Sequence, residues 1–365
     1  MKTPSAPAHI QALKPYQPGR SIEEIREEFG LERIIKLASN ENPLGSSPKA
    51  VEAMIQAAQD VSRYPRTGLR LREKLAAHYN IGLNEVAVGA GSEGVLLAAM
   101  RAYLQPGDEA VTAEGTFIGF YVIANAMNLT VTTVPLTPDY TYDLDALLDA
   151  ITPATKLVYI ANPNNPTGTA FRDQAWRNFL QKLPEGVLVI MDEAYYEYGR
   201  DLATDYPDSL TTRHPQLITM RTFSKAYGMA AARIGYGVAD PEIITNILKV
   251  KLPFEPAILS EMGGVAALDD TEFLDTTLRT NRAGMERLHT LLDKLRLTHT
   301  DSVANFTLVV FESAERAAAV SDDLLKFGII ARPMVPFRLP HCVRITIGTP
   351  NEMDVLEDAL LRIFG

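Results

Sequence analysis

The 365-residue chain has one cysteine, one tryptophan and six histidines, and its 35 basic residues are outnumbered by 45 acidic ones. A single thiol, Cys342, excludes an intrachain disulfide framework and any thiolate cluster, which is the usage expected in a reducing compartment. The histidines (9, 78, 214, 289, 299 and 341) show no ligand spacing, so no metal site is expected. A formal charge of −10 argues against non-specific binding to nucleic acid or an anionic membrane, so an anionic ligand has to be held by local cations. No apolar run is long enough to span a bilayer, and the opening "MKTPSAPAHIQALKPYQPGR" lacks a signal-like apolar core. A cytoplasmic location is the resulting expectation.

What the chain does have is alternation. Short β-branched runs occur at "EVAVG" (85–89), "EAVTA" (109–113), "LTVTTVPL" (129–136), "KLVYIA" (156–161), "VLVIM" (187–191), "LITMR" (217–221) and "RIGYGVA" (233–239). Helix-like segments or loops separate them, a spacing that predicts an α/β fold with a mainly parallel seven-stranded sheet covered by helices on both faces. The texture changes near "KLPFEP" (251–256). Beyond it, helical spacing over 273–295, a strand at 306–311, a helix at 314–327, strands at 328–332 and 343–348 and a last helix at 351–364 predict a smaller α+β domain. The expected division is an N-terminal arm over 1–39, a large domain over 40–252 and a small one over 253–365.

In open parallel sheets, ligands bind beyond the carboxyl ends of the strands. Here those ends lead into "AGSEG", "EGTF", "NPNNPTG", "DEAYYEY" and "TFSKAY", bringing Ser92, Phe117, Asn165, Asp192 with Tyr195, and Ser224 with Lys225 to one edge. The first also matches a dinucleotide fingerprint, since "GAGSEG" (89–94) follows a strand and Glu114 lies about twenty residues on. A nicotinamide oxidoreductase would leave the asparagine loop, Asp192 and the Lys225/Arg233 pair without roles. One phosphate held at a helix N-terminus needs the same glycines and Ser92 and leaves nothing over.

A carboxylate at Asp192 suits a protonated ring nitrogen, as in pyridoxal phosphate, with Tyr195 and Asn165 at the ring oxygen and Phe117 stacked on the ring. Lys225 then forms a Schiff base with the cofactor aldehyde and serves as general base and acid. Arg233 provides a planar fork for the phosphate beside Thr222, Ser224 and Ser92. The neighbours Ala226, Met229 and Ala230 to Ala232 do not read as a solvated face.

Together, "LASNENPLG", "RYP", "ANPNNPTG", "DEAYYEY", "TFSKAYGMAAARIGYG" and "VRITIGT" resemble, in order and spacing, the fold-type I pyridoxal-phosphate aminotransferases, and specifically their histidinol-phosphate branch. The resemblance implies pyridoxal 5'-phosphate as cofactor, Lys225 as the Schiff-base lysine, and Asp192 and Tyr195 as its catalytic partners. It places Gly91, Ser92, Glu93, Phe117, Asn165, Thr222, Ser224 and Arg233 around the cofactor. It implies a homodimer in which Tyr64 of "RYP" reaches the phosphate across the interface, and substrate contacts from Tyr16, Asn42, Arg332 and Arg344.

The implied reaction passes the amino group of L-histidinol phosphate to 2-oxoglutarate. There are departures: Ala90 and Gly94 stand where the family has polar residues, Phe117 where it has tyrosine, and "ARPMVPFRLPH" is more apolar than a phosphorylated substrate suggests. These keep an aromatic amino-acid aminotransferase as the alternative reading, with a phosphoamino-acid decarboxylase as a lesser one.

Overall fold

The computed structural model describes residues 3–15, 22–31 and 33–365. Its main sheet has seven strands, in the spatial order Val86–Ala90, Ile234–Val238, Leu217–Thr222, Leu188–Asp192, Thr155–Ala161, Glu109–Ala113, Thr130–Val134. All run in the same direction except Ile234–Val238, which is antiparallel to both of its neighbours. That reversal matters for the site: the odd strand starts at the edge where the others end, so Arg233, just before it, arrives beside Thr222 and Gly91.

The central strands read as near-continuous apolar runs because both faces are covered. Leu157, Tyr159, Leu188, Ile190, Ile218 and Met220 point into a core closed by the helices Gly91–Tyr103, Ile118–Ala126 and Pro241–Val250. Val158, Ile160, Val189 and Met191, the alternate residues, face a second core with Trp176, Phe179 and Leu180 of the helix Asp173–Lys182. Each fully buried aliphatic side chain contributes about 1.5–3 kcal/mol, so the sheet is a rigid platform for whatever its strand ends carry.

A second, four-stranded sheet in the order Arg332–Pro333, Cys342–Thr346, Phe306–Val310, Thr298–His299 is antiparallel throughout. The N-terminal strand Ile35–Lys36 pairs in parallel with Ile329–Ile330. The change of core falls later than residue 252. The helix Ile258–Ala267 still packs on the large-sheet side, where Gly263 and Gly264 bring its backbone against Met54, Leu71 and Ile234. The 24-residue helix Thr271–Lys294 makes the crossing: Leu274 and Leu278 belong to the core that contains Leu71 and Val88, and Met285, Leu288 and Leu292 to the one that contains Val343 and Ile345. An unbroken amphipathic helix offers no composition change at the point where it passes between cores.

Candidate active site

A cavity of about 350 Å³ opens at the carboxyl edge of the large sheet. It is lined by Ser92, Glu93 and Phe117, by Asn165, Asp192 and Tyr195, and by Thr222, Ser224, Lys225 and Arg233. All but Arg233 come from the end of a strand, the loop just beyond it or the first turn of the following helix, as the crossover connections of a parallel sheet require, and Arg233 precedes the start of the reversed strand. Among the described residues no group of three or more metal-ligating side chains is present, and no helix is long and apolar enough to cross a membrane.

The anionic end is assembled by backbone geometry. The helix Gly91–Tyr103 begins at the cavity, which Ser92 and Glu93 of its first turn line, and a helix N-terminus favours negative charge. Gly91 sits at φ +75°, and a Cβ there would lie 2.5 Å from Nη2 of Arg233. At Gly235 a Cβ would lie 2.3 Å from the Ser92 nitrogen, so the helix can approach the sheet only over a glycine. The Arg233 guanidinium reaches Glu93 Oε2 at 2.9 Å, Ser224 Oγ at 3.4 Å and the Ala230 carbonyl at 3.2 Å. Thr222 Oγ1 accepts the Ser224 backbone N–H at 3.1 Å, which fixes the turn leading to Lys225.

Asp192 is the last residue of its strand and is buried. Its Oδ2 accepts the Tyr159 hydroxyl at 2.7 Å and its Oδ1 the Ala194 N–H at 3.2 Å. Burial pushes its carboxyl up to about 6, against the pull of these two donors. A cation in the cavity would supply the missing compensation. Below, the strand ends are pinned by the buried Arg221 guanidinium, which donates to Glu193 Oε2 at 2.8 Å and to Asp208 Oδ1 at 2.9 Å and lies 3.2 Å above the Tyr196 ring.

A pH dependence follows from Asp192. A carboxyl whose native value is raised from 3.8 to about 6 leaves the native state holding the proton over that window. The stability this carboxyl contributes is then fully present below about 3.8 and is lost as pH rises through 6, by about 3 kcal/mol at about 1.4 kcal/mol per unit. The carboxyl of Glu197, which burial pushes up to about 7, adds a loss over the same range, so the Asp192 share is the part of the loss in thermal unfolding of cofactor-free protein between pH 4 and 7 that a cation bound at Asp192 removes.

Lys225 is half-buried, with Nζ 3.5 Å and 3.4 Å from the carbonyls of Ser39 and Asn40 and 5.5 Å from the Tyr195 ring centroid. Asn165 Oδ1 accepts Nη1 of Arg344 at 2.5 Å, while Nη2 of Arg344 donates to the Ala38 carbonyl at 2.7 Å. Arg344 is buried, 5.1 Å from the Phe306 ring centroid, and Arg332 stands directly opposite it on the neighbouring antiparallel strand. Directly paired residues share a face, so two like charges are set side by side, an arrangement an anion would relieve.

Two expected residues lie elsewhere, and a third is outside the described residues. Asn42 is buried away from the cavity: Nδ2 is within reach of the Ala226 carbonyl (2.9 Å) and Thr277 Oγ1 (3.0 Å), and Oδ1 accepts the Leu44 N–H. Its amide is consumed in holding the loop, and Asn40, two residues earlier, reaches the site in its stead. Tyr64 is 80% exposed on the outer surface, stacked on Phe254 with centroids 4.3 Å apart, and does not line its own chain's cavity. Tyr16 lies outside the described residues. Tyr159 and Asn40 went unnoticed in the sequence, although a tyrosine inside an apolar strand run signals a buried hydroxyl that needs a partner.

The donor set fits pyridoxal phosphate: a buried carboxylate, an amine, and hydroxyls, a helix N-terminus and an arginine. Comparison with known proteins agrees. The model of the family described as aminotransferase class I and II matches residues 32–360. Histidinol-phosphate aminotransferase 2 of Pseudomonas fluorescens is 41% identical over 361 residues, covering 98% of this chain and 96% of that protein. The histidinol-phosphate aminotransferase of Methylobacillus flagellatus is 42% identical, with 97% of each chain covered. Among solved structures, histidinol-phosphate aminotransferase from Sinorhizobium meliloti in complex with pyridoxal-5'-phosphate superposes with a TM-score of 0.88 at 30% identity, covering 98% of this chain and 96% of that one.

Proposed function

The chain belongs to the aminotransferase class I and II family, and from that membership we propose that it transfers the amino group of L-histidinol phosphate to 2-oxoglutarate, giving imidazole acetol phosphate and L-glutamate. When bound, pyridoxal 5'-phosphate supplies an electrophilic aldehyde and an electron-withdrawing ring. Ser92, Thr222, Ser224, Arg233 and the helix N-terminus at Gly91 would hold the phosphate, and Phe117 would pack against the ring. The Asp192 carboxylate would pair with the ring nitrogen and keep it protonated. Asn165 and Tyr195 would serve the ring oxygen.

Lys225 Nζ would be the amine that anchors the cofactor, and once freed it would take the proton from the donor's Cα and return one in the opposite half of the cycle. Only a group that both receives and delivers a proton at the same place serves both halves of a ping-pong exchange.

The observation that carries the choice of donor is the Arg332/Arg344 pair, two guanidinium-bearing residues on one face of the small sheet, linked through Asn165 to the cavity. A phosphate monoester matches them in charge and geometry better than an uncharged side chain does. Self-association is supported by exposed apolar side chains, Val51 with Ile55 beside one groove and Tyr64 stacked on Phe254. In a homodimer these side chains would be covered and Tyr64 carried toward the other copy's cofactor phosphate. A cytoplasmic site of action suits the one buried, unpaired cysteine.

The test is a donor comparison with the cofactor-loaded protein and no acceptor, followed by its visible absorbance. Histidinol phosphate should discharge the visible band at least about tenfold faster than phenylalanine, tyrosine or aspartate, for one buried anion contact at about 1.4 kcal/mol or more. Discharge by the unphosphorylated donors alone would overturn the assignment.

A further inference from the structure

Asn40 occupies a position that neither its neighbours in "LASNENPLG" nor the expected site residues account for. It is buried, with φ +54°, a left-handed conformation that asparagine tolerates better than most residues. Every polar group it has is engaged. Its N–H donates to Thr346 Oγ1 at 3.1 Å, and that hydroxyl donates back to Asn40 Oδ1 at 3.0 Å. Its carbonyl accepts Asn305 Nδ2 at 3.2 Å and Lys225 Nζ at 3.4 Å. Its Nδ2 donates to the Tyr195 hydroxyl oxygen at 2.8 Å.

The direction of that last bond is set by the small sheet. Turning the amide over would place Nδ2 against Thr346 Oγ1, which already accepts the Asn40 N–H, and the threonine proton would lose its acceptor. With Oδ1 held by Thr346, Nδ2 has to face Tyr195. The tyrosine oxygen then accepts from the protein, and its own proton has no acceptor among the described residues except what enters the cavity it lines.

From this geometry we infer that Asn40, clamped by Thr346, is a positioning residue that fixes the hydrogen-bond polarity of Tyr195, so that its O–H always points as a donor at the cofactor's ring oxygen. The inference rests on the pyridoxal-phosphate reading given above. It assigns Asn40 and Thr346 roles in tuning the cofactor without touching it, and it connects the tuning to the strand that carries Arg344. Thr346 is two residues from Arg344, so the two side chains share a face.

A donated hydrogen bond stabilises the ring oxygen as an anion and lowers the basicity of the proton it shares. Asn40→Gly removes the amide and accepts the left-handed backbone without strain. In the cofactor-loaded variant the pH midpoint of the visible band should rise by about one unit. In a Tyr195→Phe background, where there is no hydroxyl left to orient, Asn40→Gly should shift it no further. Thr346→Val leaves Asn40 and its backbone in place and should raise the midpoint in the same direction by less, which keeps the inference testable if Asn40→Gly does not fold.

An unchanged midpoint in Asn40→Gly, or in Thr346→Val where that is the only folded variant, would overturn the role. So would a shift of equal size with and without the Tyr195 hydroxyl, because Asn40 would then be acting through Lys225 or through packing. Failure of the unsubstituted protein to develop any visible band with pyridoxal phosphate is a different result and would count against the cofactor reading itself.

Discussion

Lys225→Ala should reduce amino transfer from histidinol phosphate to 2-oxoglutarate by at least about ten-thousand-fold, because it removes both the covalent anchor and the group that moves the Cα proton. Lys225→Arg should be equally inactive. A guanidinium preserves the positive charge near the carbonyls of Ser39 and Asn40 but does not give up a proton near neutral pH. The pair of variants therefore separates charge from proton transfer: a charge role predicts activity in the arginine variant, a proton-transfer role predicts none. Steady-state glutamate production with saturating donor is the readout. Substantial turnover in Lys225→Ala would remove Lys225 from the mechanism.

The second large effect is two-sided. Asp192→Asn keeps the shape and an acceptor for the Tyr159 hydroxyl, but it takes away the buried carboxylate that the cavity offers a ring nitrogen. Loss of one preorganised electrostatic partner in a water-poor site costs roughly 10²–10³-fold in kcat. The same substitution relieves the cofactor-free protein of a buried carboxylate. Asp192 is held up at about 6 by burial, so at pH 7 the native apoprotein bears an ionised group that the unfolded chain would solvate more cheaply.

Apo Asp192→Asn should accordingly be more stable than the parent at pH 7, by up to about 3 kcal/mol, and nearly equal to it at pH 4. An increase in stability coupled to a loss of activity is the signature of a residue kept for function. A variant that lost both would point to a structural carboxylate and would contradict the assignment.

How much of this was legible in the sequence depends on whether a feature is local. The strands were readable because their β-branched runs alternate across a sheet covered on both faces, and Thr155–Ala161 and Leu217–Thr222 appear within a residue of their expected limits. The residues at strand ends were readable for the same reason, since finding the end of a run finds Asp192, Asn165 and Lys225. Whatever depends on pairing between distant segments was not. Nothing in "RIGYGVA" shows that Ile234–Val238 runs against its neighbours, although that reversal is what delivers Arg233.

Asn40 and Asn42 show the limit most sharply. They lie two residues apart in one motif with the same side chain, yet one amide faces Tyr195 and the other Ala226 and Thr277. The choice is made by Thr346 and Thr277, some 306 and 235 residues further along the chain, and no local pattern carries it. The Arg332/Arg344 pairing is of the same kind. Each arginine is visible alone, but their opposition is a fact of strand register.

The central claim, that Lys225 at the head of this cavity carries the cofactor, is tested most directly by loading the protein with pyridoxal phosphate, reducing it with borohydride and mapping the modified peptide by mass. One cofactor-derived adduct per chain, on the peptide containing Lys225, is the predicted result. An adduct on a different lysine, or the same adduct persisting in Lys225→Ala, would contradict the account.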